Sequence, residues 1–487
     1  MERSEIVQSL ENKSILITGS TGFLAKLFVE KVLRVQPNVK KLFLLVRADD
    51  AISARKRVED EIISKELFSV LKEKYEESFH SFFWSKVCVV VGDTSLENLG
   101  IGDTKLINVL WREIDFIVNS AATTRFNERY DVSLNINTFG ARNVMLFAKK
   151  CEGLNMFLHI STAYVTQERK GIITEKFFEQ DELLIPKIET ENELIKRKLK
   201  ELEDTCASNN IIKICMKELG MKRANKFGWP NVYSFTKAMG ELQIAKLRGS
   251  LPVIILRPTI ILSTCKEPFP GWIEGIRTMD KLILSYAIGE IVSLPACLDA
   301  AVDGIPGDMV VNAMLATMMT NCSHPNSMLP IYHVGSSSKN TLRFRLISET
   351  SYEYFSMHPF TRKDGKLITV RKPIFFSKMF FCIYMVLRYK LPLQVLLVVA
   401  TLFSSQILKN QYIKHNQTYN HVMLMAKAYI PYTFMLGRFD DTNTEILRMR
   451  MNNEDKAMFS FDPKCINWDQ FLMDIHIPGV IKYGLNG

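Results

Sequence analysis

The chain lacks any cysteine framework. Its nine cysteines (Cys88, Cys151, Cys206, Cys215, Cys265, Cys297, Cys322, Cys382 and Cys465) are odd in number, contain no Cys-x-x-Cys pair and have no histidine cluster beside them. That count and spacing argue against a disulfide scaffold and against a structural zinc site, and no metal is expected. The N-terminus, MERSEIVQSLENKS, has neither the apolar core of a secretory signal nor the Arg- and Ser-rich, acid-poor character of an organelle-import peptide, plastid peptides included. The final GLNG is neither a peroxisomal nor an ER-retention address.

Acidic residues are missing altogether between Asp364 and Asp440. The 75 residues between them hold ten Lys/Arg, and elsewhere 52 basic residues balance 52 acidic ones, so the net charge of +10 is confined to one stretch. That stretch is also very apolar, with MFFCIYMVL (379–387) and LPLQVLLVVATLF (391–403) inside it. It is too greasy for a nucleic-acid patch, and no nucleic-acid partner is expected. Basic and apolar together point to an anionic membrane surface or an acidic, acylated ligand. What it lacks is an uninterrupted span of about 20 apolar residues. Arg388, Lys390 and Pro392 break the run, which predicts two amphipathic or re-entrant pieces lying in the membrane interface, peripheral or monotopic. A single span and a buried pair of core helices are the alternatives.

What is present is an alternation of apolar strands and helices. SILIT (14–18), LFLLV (42–46), VCVVV (87–91), DFIVN (115–119), MFLHI (156–160) and VIILR (253–257) are continuous apolar runs, the pattern of parallel strands covered on both faces. Helical patterns between them predict an α/β class, a doubly wound parallel Rossmann sheet. Residues 10–370 are expected to form this domain, with a helical insertion near 167–229 that includes the charged helix ENELIKRKLKELED (191–204). Residues 371–487 are expected to form a smaller, mostly helical C-terminal domain.

The first strand runs into a glycine turn, Thr18-Gly19-Ser20-Thr21-Gly22-Phe23-Leu24-Ala25, and then a helix. Glycines there let backbone N–H groups approach a pyrophosphate at the positive helix end, which makes Thr18, Gly19, Thr21, Gly22, Phe23 and Leu24 candidate cofactor contacts. After the second strand stands Arg47, where an NAD site would present an acid, and a guanidinium suits the 2′-phosphate of NADP. Asp49 and Asp50 follow closely and keep the acid alternative open. Asp93 after the third strand either meets the adenine amine or caps a turn. Asn119 and Ala121 provide small residues where a ribose must pass.

Of the fifteen tyrosines only Tyr233 has a lysine four residues on, Lys237. Pro230 and Asn231 mark a helix start, so both side chains share one helical face. An ammonium beside a phenol favours its phenolate and adapts it to proton transfer near neutral pH. Thr162, at the end of the fifth strand, can hold a substrate carbonyl oxygen while Tyr233 donates to it; alone, it would read as a strand-end hydroxyl bonded to backbone. His159 and His333 lie inside apolar strand patterns and read as satisfied core histidines.

TGSTGFLA (18–25), NSAATTRF (119–126), HISTAYV (159–165), GWPNVYSFTKAMGE (228–241), LRPTII (256–261) and IPGDMVVNA (305–313) together resemble the plant-type alcohol-forming fatty acyl-CoA reductases of the extended short-chain dehydrogenase/reductase superfamily. The resemblance runs in order over roughly residues 10–480. It implies a catalytic set of Thr162, Tyr233 and Lys237, with Lys237 also on the cofactor ribose. It implies cofactor contacts at Gly19, Gly22, Arg47, Asp93 and Pro258, and an ordering role for Asn137. It further implies NADPH as cofactor, a fatty acyl-CoA substrate reduced through an aldehyde to a primary alcohol and free CoA, and a place on the cytosolic face of the endoplasmic reticulum membrane. No acyl-cysteine is required. The acyl chain needs an apolar tunnel, for which Phe269 to Ile288 and the C-terminal region are candidates. A membrane-associated sterol or nucleotide-sugar dehydrogenase, and a non-catalytic NADPH-sensing protein, are the competing functions. Chain length and oligomeric state are not legible in the residues.

Overall fold

The computed structural model describes residues 3–166, 170–177, 186–319, 329–361 and 364–485; Cys322 and parts of the expected insertion lie outside them. Seven parallel strands form the central sheet: β1 (Ser14–Thr18), β2 (Lys41–Val46), β3 (Val87–Val91), β4 (Phe116–Asn119), β5 (Met156–Ile160), β6 (Val253–Pro258) and β7 (Ile331–Val334). Their order is β3-β2-β1-β4-β5-β6-β7, the doubly wound arrangement that reverses direction at β1 and β4. Along β1 the residues alternate between layers: Ile15 and Ile17 join one core cluster, Leu16 the other. Burial on both faces is what makes each strand a continuous apolar run. The seventh strand follows a thinner sequence pattern, IYHV, and pairs Ile331 with Ile255 at the far edge.

The helices that position the site are α1 (Phe23–Val35), α2 (residues 130–148, with a π-helical turn at Leu134–Phe139), α3 (Ile188–Asp204), α4 (Asn209–Lys226), α5 (Val232–Leu247) and α6 (Thr278–Ala287). Asn231 caps α5, its Oδ1 accepting from the Ser234 N–H at 2.9 Å. One turn beyond Lys237, Glu241 forms a bidentate pair with Arg257 of β6 at 2.6 and 3.0 Å, both side chains fully buried. That pair fastens α5 to the sheet.

Beyond residue 370 a short strand, Ile374–Phe376, pairs with Ser293–Pro295. Two helices then stand out from the body: α7, a continuous helix over Lys378–Leu402, and α8 (Gln406–Thr433). The expected break at Arg388 to Pro392 does not occur. A π-helical turn, Val386–Lys390, leads straight into Pro392, and the local change in hydrogen-bond register lets the helix continue through a residue with no N–H to give. A buried helix pair is also ruled out, because the most apolar part of α7 is 6% buried. Phe380, Leu387, Val395, Val398 and Leu402 are exposed. From 437 the chain returns to the body. Gly437–Phe439 pairs with Gly171–Ile173, and Leu447, Phe459, Trp468, Phe471 and Leu472 share one core with Ile15 and Ile17 of β1.

Candidate active site

The turn after β1 is built for close approach. Gly19 has φ +66°, and a Cβ there would lie 2.8 Å from the Ala121 backbone, so only glycine lets the two loops meet. The Thr18 hydroxyl donates to Asn119 Oδ1 at 2.7 Å and accepts from the Ala121 N–H at 3.1 Å, joining the ends of β1 and β4. No side chain caps α1 at Gly22, which leaves its first-turn N–H groups for an anion. Phe23 and Leu24 turn their side chains into the core, so only their backbone can serve a cofactor; Phe23 stacks on Trp272 with ring centroids 5.2 Å apart.

At the adenosine end, Arg47 is exposed, and its guanidinium has no ion pair among the described residues. Its carbonyl accepts from Arg57 at 2.6 Å, which brings a second guanidinium near, itself held by Glu61. Asp50 is engaged elsewhere: it caps the next helix, accepting from the Ser53 N–H at 2.7 Å. Asp93 accepts from the Ser95 N–H at 2.8 Å, so it does cap a turn, and it is half-buried.

The reacting end lies where β5 and β6 stop. Thr162 and Tyr233 face one cavity of about 430 Å³, together with Ser161, Pro258, Phe126 and Arg277. Among the described residues the buried Ser161 hydroxyl has no hydrogen-bond partner, an orphaned donor where a substrate oxygen would be held. Burial pushes the Tyr233 phenol up to about 12, opposed by its hydrogen bond with Thr162 and by the nearby positive charge of Arg277. Here the structure corrects the sequence expectation. Lys237 is not what favours the phenolate; its ammonium donates to the Ile160 carbonyl at 2.7 Å and lies 3.5 Å from His159 Nε2. Burial brings the lysine down to about 8, with Glu241 holding it up. His159 is a satisfied core histidine, as expected, yet it also completes a row. Its Nδ1 lies 3.0 Å from Asn119 Nδ2, so Thr18, Asn119, His159 and Lys237 form one hydrogen-bonded line across the strand ends. His333, with its Nδ1 at the Asp440 carbonyl, is a core histidine as well. Asn137, in the π-helical turn of α2, accepts from the Thr123 N–H at 2.9 Å and donates to Thr236 on the catalytic helix at 3.0 Å.

The C-terminal region does supply a wall of the cavity, through α8, though no residue of it could be named from the sequence. His421, Leu424, Met425, Ala428, Tyr429 and Tyr432 line the cavity from a helix some 190 residues beyond Tyr233. The Tyr432 hydroxyl accepts from Asn231 Nδ2 at 2.7 Å, and its ring stacks on Phe126 at 5.4 Å, which in turn stacks on Tyr233 at 6.4 Å. On the opposite wall, Ile276 to Thr278 and Lys281 fall within the expected Phe269 to Ile288 tunnel segment.

Comparison with known proteins follows this geometry. A family model described as male sterility protein, covering the NAD-binding part, matches residues 17–314, and a second of the same description matches 388–487. The chain is 47% identical to probable fatty acyl-CoA reductase 4 of Arabidopsis thaliana, over 99% of both chains. It is 44% identical to the alcohol-forming fatty acyl-CoA reductase of Simmondsia chinensis, over the whole of both. Among solved structures, the terminal R domain from the myxalamid PKS-NRPS pathway superposes with a TM-score of 0.57 at 17% identity, covering 97% of this chain and 91% of that one, a likeness of fold.

Proposed function

The chain belongs to the fatty acyl-CoA reductases, and on that premise we propose that it reduces long-chain or very-long-chain fatty acyl-CoA through the aldehyde to a primary alcohol and free CoA at Thr162, Tyr233 and Lys237. The observation that carries this is the placement of Tyr233 and Thr162 in a cavity whose remaining walls are largely aromatic and apolar, as an acyl chain requires. A bound nicotinamide cofactor, for which the Gly19 to Leu24 turn provides the cradle, supplies the hydride of each half-reaction. Thr162 and Ser161 hold the substrate oxygen, and Tyr233 gives a proton to the alkoxide. Lys237 keeps the site positively charged and orders the ribose side. Tyr432, fixed by Asn231, closes the cavity over the reacting carbon. The test is product identification by mass spectrometry after incubation with acyl-CoAs of sixteen to thirty carbons. Failure to form alcohol or aldehyde from any of them, with cofactor binding demonstrated, would refute it and favour another dehydrogenase substrate.

We take NADPH as the cofactor because Arg47 is exposed and makes no ion pair among the described residues, while Asp50 is engaged in a helix cap. Arg47→Ala is expected to raise the KM for NADPH on the order of 10–100-fold, the loss of a charge-assisted bond to phosphate, and to leave the KM for NADH within a factor of a few. Equal changes for both cofactors would sink this assignment.

Membrane association at the cytosolic face of the endoplasmic reticulum is proposed on the exposed apolar surface of α7, set in a stretch of ten cations and no acid. On fractionation the protein is expected in microsomes, resistant to high salt and released by detergent. Release by salt alone would leave only the electrostatic attraction.

A further inference from the structure

Two cations of the cavity make no ion pair among the described residues. Arg277 stands directly before α6, lines the same cavity as Thr162 and Tyr233, and lays its guanidinium over the Phe23 ring at 5.2 Å. Among the described residues its guanidinium makes no ion pair within 4 Å: Glu274 pairs with Lys26 at 2.6 Å, and Asp280 accepts the Arg277 backbone N–H at 3.4 Å, so both carboxylates support its positive charge from nearby without engaging it. One turn on, Lys281 lines the same cavity, also without an ion pair among the described residues. Both charges are therefore available to an anion that arrives with, or forms from, the substrate.

The two half-reactions differ in the anions they produce. In the first, the thioester carbon accepts a hydride, the carbonyl re-forms, and the C–S bond breaks with its electron pair going to sulfur. CoA leaves as a thiolate and takes its proton from solvent. In the second, the aldehyde carbon accepts a hydride and the oxygen takes the Tyr233 proton, so no anion leaves. The other tyrosines of the cavity cannot protonate sulfur readily, since burial pushes Tyr164, Tyr429 and Tyr432 well above the ordinary phenol range. A fixed positive charge can hold the departing sulfur without giving up a proton, and a guanidinium keeps its charge where an ammonium would lose it.

Resting on the acyl-CoA reductase reading above, we propose that Arg277 is a catalytic residue of the thioester half-reaction, holding the negative charge of the departing CoA thiolate, and takes no comparable part in aldehyde reduction. Its place beside Tyr233 distinguishes it from a residue that binds the distant CoA phosphates. The turn at Gly19 to Leu24 already offers backbone N–H groups for cofactor phosphates, so Arg277 is not needed there.

The experiment compares the full-length wild type with Arg277→Gln and Arg277→Lys, each assayed separately on a long-chain acyl-CoA and on the matching free fatty aldehyde, with NADPH affinity measured by fluorescence. For Arg277→Gln, kcat on acyl-CoA is expected to fall ~10²-fold, the usual loss of one transition-state charge stabiliser, with the fall on aldehyde under about tenfold. Arg277→Lys is expected to recover part of the acyl-CoA rate. An aryl thioester, whose thiol is the better leaving group, is expected to narrow the gap between wild type and Arg277→Gln. Equal losses on both substrates with weakened NADPH binding would overturn the proposal and make Arg277 a cofactor anchor. No loss on either would overturn it outright. Should Arg277→Gln not fold, Arg277→Lys and the aryl thioester give the same comparison with a smaller ratio. A wild type that reduces neither substrate would instead remove the underlying reading.

Discussion

Replacing Tyr233 with phenylalanine is expected to lower kcat on both acyl-CoA and fatty aldehyde by ~10²–10⁴-fold, the range for losing a positioned general acid. Both steps suffer because Tyr233, hydrogen-bonded to Thr162 where β5 and β6 end, steadies the oxyanion of the thioester step and protonates the oxygen in the aldehyde step. Phenylalanine keeps the ring that stacks on Phe126 at 6.4 Å, so fold and cofactor affinity should stay close to wild type. The comparison is steady-state kinetics on each substrate beside NADPH binding and a melting curve. Retention of either activity within a few-fold would mean that water or another group supplies the proton, and the assignment of Tyr233 would fail. The contrast with Arg277→Gln is itself informative: the phenol should matter for both substrates, the guanidinium for the thioester.

Substituting Arg257 by methionine is expected to destabilise the protein by about 3–5 kcal/mol, the cost of leaving one partner of a buried ion pair without the other. Glu241 would remain fully buried on the catalytic helix with its bidentate partner gone. Thermal denaturation should show a midpoint lower by several degrees, and refolding yields should drop with it. A midpoint unchanged within about a degree would mean that water reaches Glu241 and the pair is not a clamp. Glu241→Gln adds a functional sign. The glutamate charge raises the Lys237 pKa, which burial has brought to about 8. Removing that charge lowers the lysine further, so the alkaline limb of the activity profile, where Lys237 loses its proton, should move to lower pH. A limb that stays in place would show that Lys237 does not govern it.

Six of the seven strands, the turn at Gly19 and the helix bearing Tyr233 and Lys237 were legible because each is encoded locally. Parallel strands buried on both faces must be apolar throughout, and a phosphate turn must be glycine where backbone meets backbone. IYHV (331–334) was harder to read because it is a short edge strand with a half-buried tyrosine and a histidine in it. Arg388 and Pro392 predicted a break in α7 because composition gives no sign that a π-helical turn will shift the hydrogen-bond register and let the helix continue through the proline. The partner assigned to Tyr233 was wrong for a related reason. Spacing puts Lys237 on the same face, but only the packing shows its ammonium drawn to the Ile160 carbonyl and Arg277 left beside the phenol.

By itself the order of residues determined that this chain is a doubly wound nucleotide-binding sheet with a Thr-Tyr-Lys set at its carboxyl end, since periodicity, turns and i, i+4 spacing act over a few residues. The tertiary structure alone decided what encloses that set. Tyr432 and its neighbours on α8 close the cavity from far along the chain, Asn119 and His159 join the cofactor turn to Lys237, and Arg277 faces the cavity with no ion pair among the described residues. Each of these is a contact between segments remote in sequence, chosen by which surfaces can be buried together, and no local pattern records that choice.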